Sequence, residues 1–272
     1  MTKCHLVRSA AVRALLVLSG AVVAPQPAEA SFVHVGGRTM RYECGGSGAP
    51  TVVLDAGSPG GTESWRWVQP ELARFTRVCS YDRLGNGASA RPAAGRRTPR
   101  MQAGELHELL RRARIPAPYV LVGHSWGGLI AQIYANAYPA EVAGAVLLDP
   151  TNFAYGIPPL RNVGREGIDV RAAAAELAVV RSLGAIPLVV LGSINTAADR
   201  TFLRAQDAVA RLSTDSVDAI ARHSTHEIPS PAPKGQPRLV VDSVRAVVDA
   251  VRRHGRLPPC GTVFPAGKVL CR

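Results

Sequence analysis

The feature that most limits what this chain can fold into is the run Tyr119-Val120-Leu121-Val122, followed at once by Gly123-His124-Ser125-Trp126-Gly127. An unbroken apolar run of this length predicts a strand buried on both faces. Residues 129–135, small and apolar, predict a helix directly after it. Strand, sharp turn and helix form the setting in which a Gly-x-Ser-x-Gly turn holds its serine on a strained backbone with the hydroxyl exposed. Gly123 and Gly127 mark where neighbouring backbone must pass close. The first N–H groups of the following helix then face the place where negative charge would develop. Ser125 is therefore the candidate nucleophile.

A strand buried on both faces needs a sheet with helices on each side. Residues 31–35 and 39–44 alternate apolar and polar around Gly36-Gly37 and predict a hairpin. Further strands are expected over Thr51–Asp55, residues 76–82, Val142–Leu148, residues 187–191 and residues 217–221. Helices are expected over residues 64–74 (broken at Pro70), 101–114, 199–212 and 238–253, and at the alanine run 172–175. Trp65 and Trp67 are expected to pack inside. Strands alternating with helices predict an α/β domain whose mostly parallel sheet has about eight strands flanked by helices. Functional residues of such a sheet gather at the carboxyl ends of its strands.

The first thirty residues have the pattern of an export signal. Lys3, Arg8 and Arg13 precede a short apolar stretch, residues 14–24, which ends at Pro25 and Pro27 before Ala28-Glu29-Ala30. Cleavage is expected near Ala30, leaving a domain over residues 31–255 and a Pro/Gly-rich tail over 256–272. Cys4 would leave with the signal. Cys44, Cys79, Cys260 and Cys271 remain, an even number in an exported chain, and predict disulfides with three pairings open. The net charge of +12 is spread rather than blocked, so it predicts a solvated basic surface that an anionic cell envelope would attract. No P-loop, zinc-like Cys/His spacing or Gly-x-Gly-x-x-Gly after a strand is present, so no motif supports nucleic-acid, metal or cofactor binding.

A serine hydroxyl needs a base, and histidine is suited to it at neutral pH. His34, His107 and His254 read as surface or edge residues. His124, preceding the nucleophile, is expected to point away from its hydroxyl. His223 and His226 lie between the last expected strand of the domain and the last long helix, where a base could reach Ser125.

Five stretches in this order resemble the α/β-hydrolase superfamily over about residues 32–253: Val52 to Pro59, Tyr81 to Ser89, Gly123 to Gly128, Val146 to Pro150, and Ser224-Thr225-His226. The resemblance implies an α/β-hydrolase fold with a small cap at about residues 151–184. It implies Ser125 as nucleophile and His226 as base, with His223 the lesser candidate. Backbone N–H groups of Ser58 and Trp126 would be the oxyanion donors, with Ala56-Gly57 standing where the family has His-Gly. At the family's usual acid position stands Asn195, which can hold a ring tautomer but not balance an imidazolium charge. Asp149 is preferred as the acid, by likeness to the haloalkane dehalogenase branch, with Asp199 the alternative. The fold also brings the second and fourth strands side by side, which implies Cys44–Cys79 and leaves Cys260–Cys271.

The resulting expectation is an exported serine hydrolase that cleaves carboxylic esters through an acyl-enzyme, with no cofactor or metal. Its substrate would be a small-molecule ester or a lipid-like one. Rival expectations are a cofactor-free haloperoxidase-like or acyltransferase activity on the same residues, and a ligand-binding protein that keeps the fold without turnover.

Overall fold

Strand β5, Tyr119–His124, is buried at every residue, as its unbroken apolar run requires. The computed structural model describes Met1 and residues 29–153, 163–197 and 199–272. Around β5 run β1 (Glu29–Val35), β2 (Arg38–Gly45), β3 (Thr51–Asp55), β4 (Val78–Tyr81), β6 (Val142–Leu148), β7 (Leu188–Ser193), β8 (Ser216–Ala221) and β9 (Val269–Cys271). They form one sheet in the order β1-β2-β4-β3-β5-β6-β7-β8-β9. From β4 through β8 neighbouring strands are parallel, while β1, β2 and β9 run antiparallel to their neighbours. The carboxyl ends of β3, β5, β6 and β7 therefore open on one edge, which carries the candidate site.

Two apolar layers cover the sheet. On one face, the helices Pro99–Arg112 and Trp126–Ala137 bury Leu106, Leu109, Leu110, Leu129 and Ile133. On the other, Pro237–Arg252 buries Leu239, Val240, Val244, Val247 and Val248, the face its helical spacing predicts. The helix Pro99–Arg112 is capped by Thr98, whose side chain accepts from the Met101 N–H.

Among the described residues the sheet has nine strands, in line with the expected eight or so; the tail forms a short helix, Cys260–Val263, and then β9. Val263 and Phe264 are buried, and apolar burial is what draws the tail onto the sheet edge. Pro70 does not break a helix. It sits in the first turn of a short one, Gln69–Leu72, where its missing N–H has no partner to lose. Of the two neighbouring tryptophans only Trp65 is buried; Trp67 is 51% exposed, with the Arg66 guanidinium over its ring.

Both implied disulfides are present, Cys44–Cys79 and Cys260–Cys271. The register of β2 on β4 places Cys44 directly opposite Cys79. The expected export signal lies outside the described residues except for Met1, Glu29 and Ala30, the last two being the start of β1. Of the expected cap, residues 154–162 lie outside the description, and the rest includes the helices Val163–Glu166 and Val170–Ala178. Among the described residues no helix is long and apolar enough to cross a membrane.

Candidate active site

Ser125 follows β5 and begins the helix Trp126–Ala137 with φ 51° and ψ −114°, a conformation that residues other than glycine rarely adopt. The packing around it enforces that geometry. A Cβ on Gly127 would overlap the Asp55 carbonyl oxygen, and one on Gly123 would come within 2.5 Å of the Gly127 carbonyl oxygen. The elbow is tied to the end of β6 as well: the Ser125 N–H donates to Leu148 O at 2.9 Å, and the Thr151 N–H donates to Ser125 O at 2.9 Å.

The loop after β3 passes directly over this turn. A Cβ on Gly57 would lie 3.0 Å from His124 Nδ1 and 3.3 Å from Ser125 Cβ, so a side chain there would push the His124 ring or the loop back by a few tenths of an ångström. Ser58 follows and lines the same cavity, of about 310 Å³, as Ser125 and His226. Trp126 is fully buried, and its ring N–H donates to Gln102 at 2.8 Å.

Asp149 stands just past β6, 2% exposed and with φ 40°. One carboxylate oxygen accepts the Ser193 N–H at 2.9 Å, and the other lies 3.2 Å from His226 Nδ1. Of the two candidate acids, Asp149 meets His226. Asp199 is exposed and accepts the Thr201 N–H at 2.7 Å, capping the helix Arg200–Ala210. Asn195 is exposed on the helix Ile194–Ala197. His223 is also exposed.

His226 is held by its neighbours on either side. Ser224 and Ile228 are buried, and the Thr225 N–H donates to Lys234 O at 2.8 Å. The His226 side chain between them is 47% exposed. Burial works to lower its pKa, but the hydrogen bond to Asp149, then the charges of Asp149 and Glu227, outweigh burial and raise it above the ordinary 6.5.

His124 is misread by the argument from sequence alone. Its ring does not turn away from the site: it lines the cavity, 4.8 Å from the His226 ring. Its Nε2 is 2.7 Å from the His226 carbonyl oxygen, which only accepts, so Nε2 carries the proton. Burial, and after it the charge of His226, lower its pKa to about 4, so this imidazole is neutral. The strained turn at Ser125, φ 51°, redirects the chain immediately after His124.

Arg83 and Glu166, not singled out by the sequence, hydrogen-bond the loop after β3. Arg83 follows β4 and is 2% exposed, with its guanidinium on Asp55 and Glu166. Glu166 comes from the insertion between β6 and β7, far from Arg83 in sequence, and no local pattern marks the pair. Among the described residues no group of three or more His, Cys, Asp or Glu is gathered as a metal site.

Comparison with known proteins gives the same picture. The family model described as the alpha/beta hydrolase fold matches residues 50–166. An uncharacterised protein of Bacillus subtilis, YqjL, is 35% identical over 39% of this chain and 41% of its own length. A 2-hydroxy-6-oxo-6-(2'-aminophenyl)hexa-2,4-dienoic acid hydrolase of Metapseudomonas resinovorans is 34% identical over 43% of this chain and 40% of its own. The chain thus spans about two fifths of the length of these curated relatives. A thermophilic esterase from Thermogutta terrifontis superposes with a TM-score of 0.62 at 21% identity, covering 82% of this chain and 99% of that one. With its sheet order, its serine elbow and these matches, the chain has the α/β-hydrolase fold.

Proposed function

We propose that the protein is an exported hydrolase that cleaves carboxylic esters, with Ser125 as nucleophile, His226 as base and Asp149 as the acid that orients it. The observation that carries this reading is the 3.2 Å contact of Asp149 with His226 Nδ1, made beside a cavity that also contains a serine on a strained elbow. With Nδ1 engaged by Asp149, the other ring nitrogen serves as proton acceptor. His226 takes the proton of Ser125 as its oxygen attacks the acyl carbon, and the Ser58 and Trp126 N–H groups take up the oxyanion. The alcohol leaves with the proton from His226, and water repeats the steps to release the acid.

The cavity of about 310 Å³ suits esters of small or medium acyl chains. A panel of p-nitrophenyl esters of increasing chain length tests this. Turnover should peak at short chains, and no turnover of any ester would reject the reading. The name of the Metapseudomonas resinovorans relative supports a second reading, hydrolysis of a dienoic acid, so a 2-hydroxy-6-oxo-hexa-2,4-dienoic acid belongs in the same panel. Ser125→Ala should lower turnover by roughly 10⁴-fold or more. A fluorophosphonate should label Ser125; a ligand-binding protein without turnover would stay unlabelled, and an acyltransferase would pass the acyl group to added alcohol faster than to water. Export is supported by the charged-then-apolar pattern of the first thirty residues. Amino-terminal sequencing of protein recovered outside the cell should begin near Ser31, and an intact Met1 would contradict cleavage.

A further inference from the structure

The loop after β3 has its carbonyl groups drawn to one side. Arg83 donates Nη1 to Ala56 O at 2.6 Å and Nη2 to Gly57 O at 2.9 Å. The Gly57–Ser58 peptide is trans, and across a trans peptide the N–H points opposite to the carbonyl. With Gly57 O fixed on the guanidinium, the Ser58 N–H is turned away from Arg83. Ser125 packs against the same loop at Gly57, its Cβ 3.3 Å from where a Gly57 Cβ would stand.

The guanidinium is itself held. Its Nε and Nη2 donate to the two carboxylate oxygens of Glu166 at 2.9 and 3.2 Å, and Nη1 donates to Asp55 at 2.5 Å. Glu166, fully buried, also accepts the Ser58 hydroxyl at 2.6 Å. Burial opposes charge on Arg83 and Glu166, but each holds the other ionised: Glu166 sits below the usual carboxylate range and Arg83 above its own. Burying such a pair adds little stability compared with apolar residues of the same volume. A demand for exact placement of the loop accounts better for its presence.

We propose that Arg83 and Glu166 are positioning residues that aim the Ser58 N–H at the oxyanion formed on Ser125, so that the insertion between β6 and β7 controls the strength of the oxyanion site. The proposal rests on Ser125 being the nucleophile. Two substitutions test it without removing the N–H. Ser58→Ala deletes only the hydroxyl held by Glu166. Glu166→Gln keeps the shape and an acceptor but removes the charge. Loss of a whole oxyanion donor costs roughly 10²–10³ in kcat, so a misaimed donor should cost about tenfold, with KM little changed. A boronic acid that mimics the tetrahedral adduct should lose affinity by the same factor. The double variant should be no slower than the slower single one, because the hydroxyl acts through Glu166. Rates are taken per fluorophosphonate-reactive site, which removes any unfolded fraction.

Unchanged kcat in both variants, or losses that multiply in the double variant, would overturn the assignment. So would an equal rise in KM for substrate and in Kd for the boronic acid. If wild-type Ser125 takes no label, the functional reading fails and this inference falls with it. If wild-type labels and turns over while the variants match it, only this inference fails.

Discussion

At the scale of the residue, two histidines 4.8 Å apart are pushed in opposite directions. The hydrogen bond to Asp149 and its charge hold His226 above 6.5 despite burial, so in the proposed function His226 would be lost as a base to protonation at a higher pH than a free imidazole. Ester hydrolysis should therefore fall on an acid limb centred above 6.5. Asp149→Asn should lower kcat by about 10³–10⁴ and move that limb down, whereas Asp199→Asn should do neither. A kcat/KM profile in which the two variants behave alike would remove Asp149 from its role. His124 behaves oppositely. It stays neutral in the fold down to about 4, while in the unfolded chain it takes a proton below about 6.5. Between those values the unfolded chain binds the extra proton, so the native state loses stability as pH falls, by on the order of 3 kcal/mol from this group. His124→Gln keeps a donor for the His226 carbonyl and removes the proton site. The wild-type advantage over this variant, from urea midpoints, should shrink between pH 7 and pH 4.5; a constant gap would mean that folding does not lower the pKa of His124.

At the scale of the element, the elbow is a strand and a helix forced into contact through glycine. A methyl group on Gly127 would meet the backbone carbonyls of Asp55 and Ala56, and backbone cannot step aside as a side chain can. Gly127→Ala should thus destabilise by about 1–3 kcal/mol and also displace Ser125, lowering fluorophosphonate labelling in the protein that remains folded. Normal labelling with normal stability would show the contact to be relaxed at no cost. The same local logic explains what could be read without coordinates. Residues 119–122 had to be a buried strand, and the Gly-x-Ser-x-Gly turn had to follow, because periodicity and turn chemistry act within a few residues. Strands at Thr51–Asp55 and Val142–Leu148 were legible to the residue for the same reason. The preference for Asp149 over Asp199 comes only from the family resemblance, since the contact with His226 depends on where β6 and β7 end in space. The ring of His124 was not legible, because its direction follows from a φ of 51° at the next residue. Arg83 and Glu166 were invisible as a pair because their contact joins a loop after β4 to the insertion after β6.

At the scale of the whole molecule, the sheet has antiparallel strands at each end, and each end carries a disulfide. Cys44–Cys79 joins β2 to β4, with a sequence separation of 35. Cys260–Cys271 closes the tail, with a separation of 11, where β9 covers the edge of β8. The site lies between these ends, past the carboxyl ends of β3, β5 and β6. Loop-closure entropy assigns roughly 4 kcal/mol to the longer bridge and roughly 3 kcal/mol to the shorter. The two should nevertheless differ in what they protect. Breaking Cys260–Cys271 loosens a tail otherwise anchored by Val263 and Phe264, the Leu257 N–H on Asp215, the β8–β9 ladder and Arg272 on Asp207 and Asp218. Its loss should expose the β8 edge, an unpaired row of backbone groups open to another strand. A Cys260→Ser, Cys271→Ser variant should therefore lower Tm and aggregate on heating, yet keep kcat at 25 °C. A Cys44→Ser, Cys79→Ser variant should lower Tm by at least as much and, because β4 leads into Arg83, reduce kcat as well. Equal retention of kcat in both would mean that the strand carrying Arg83 is held by its burial alone.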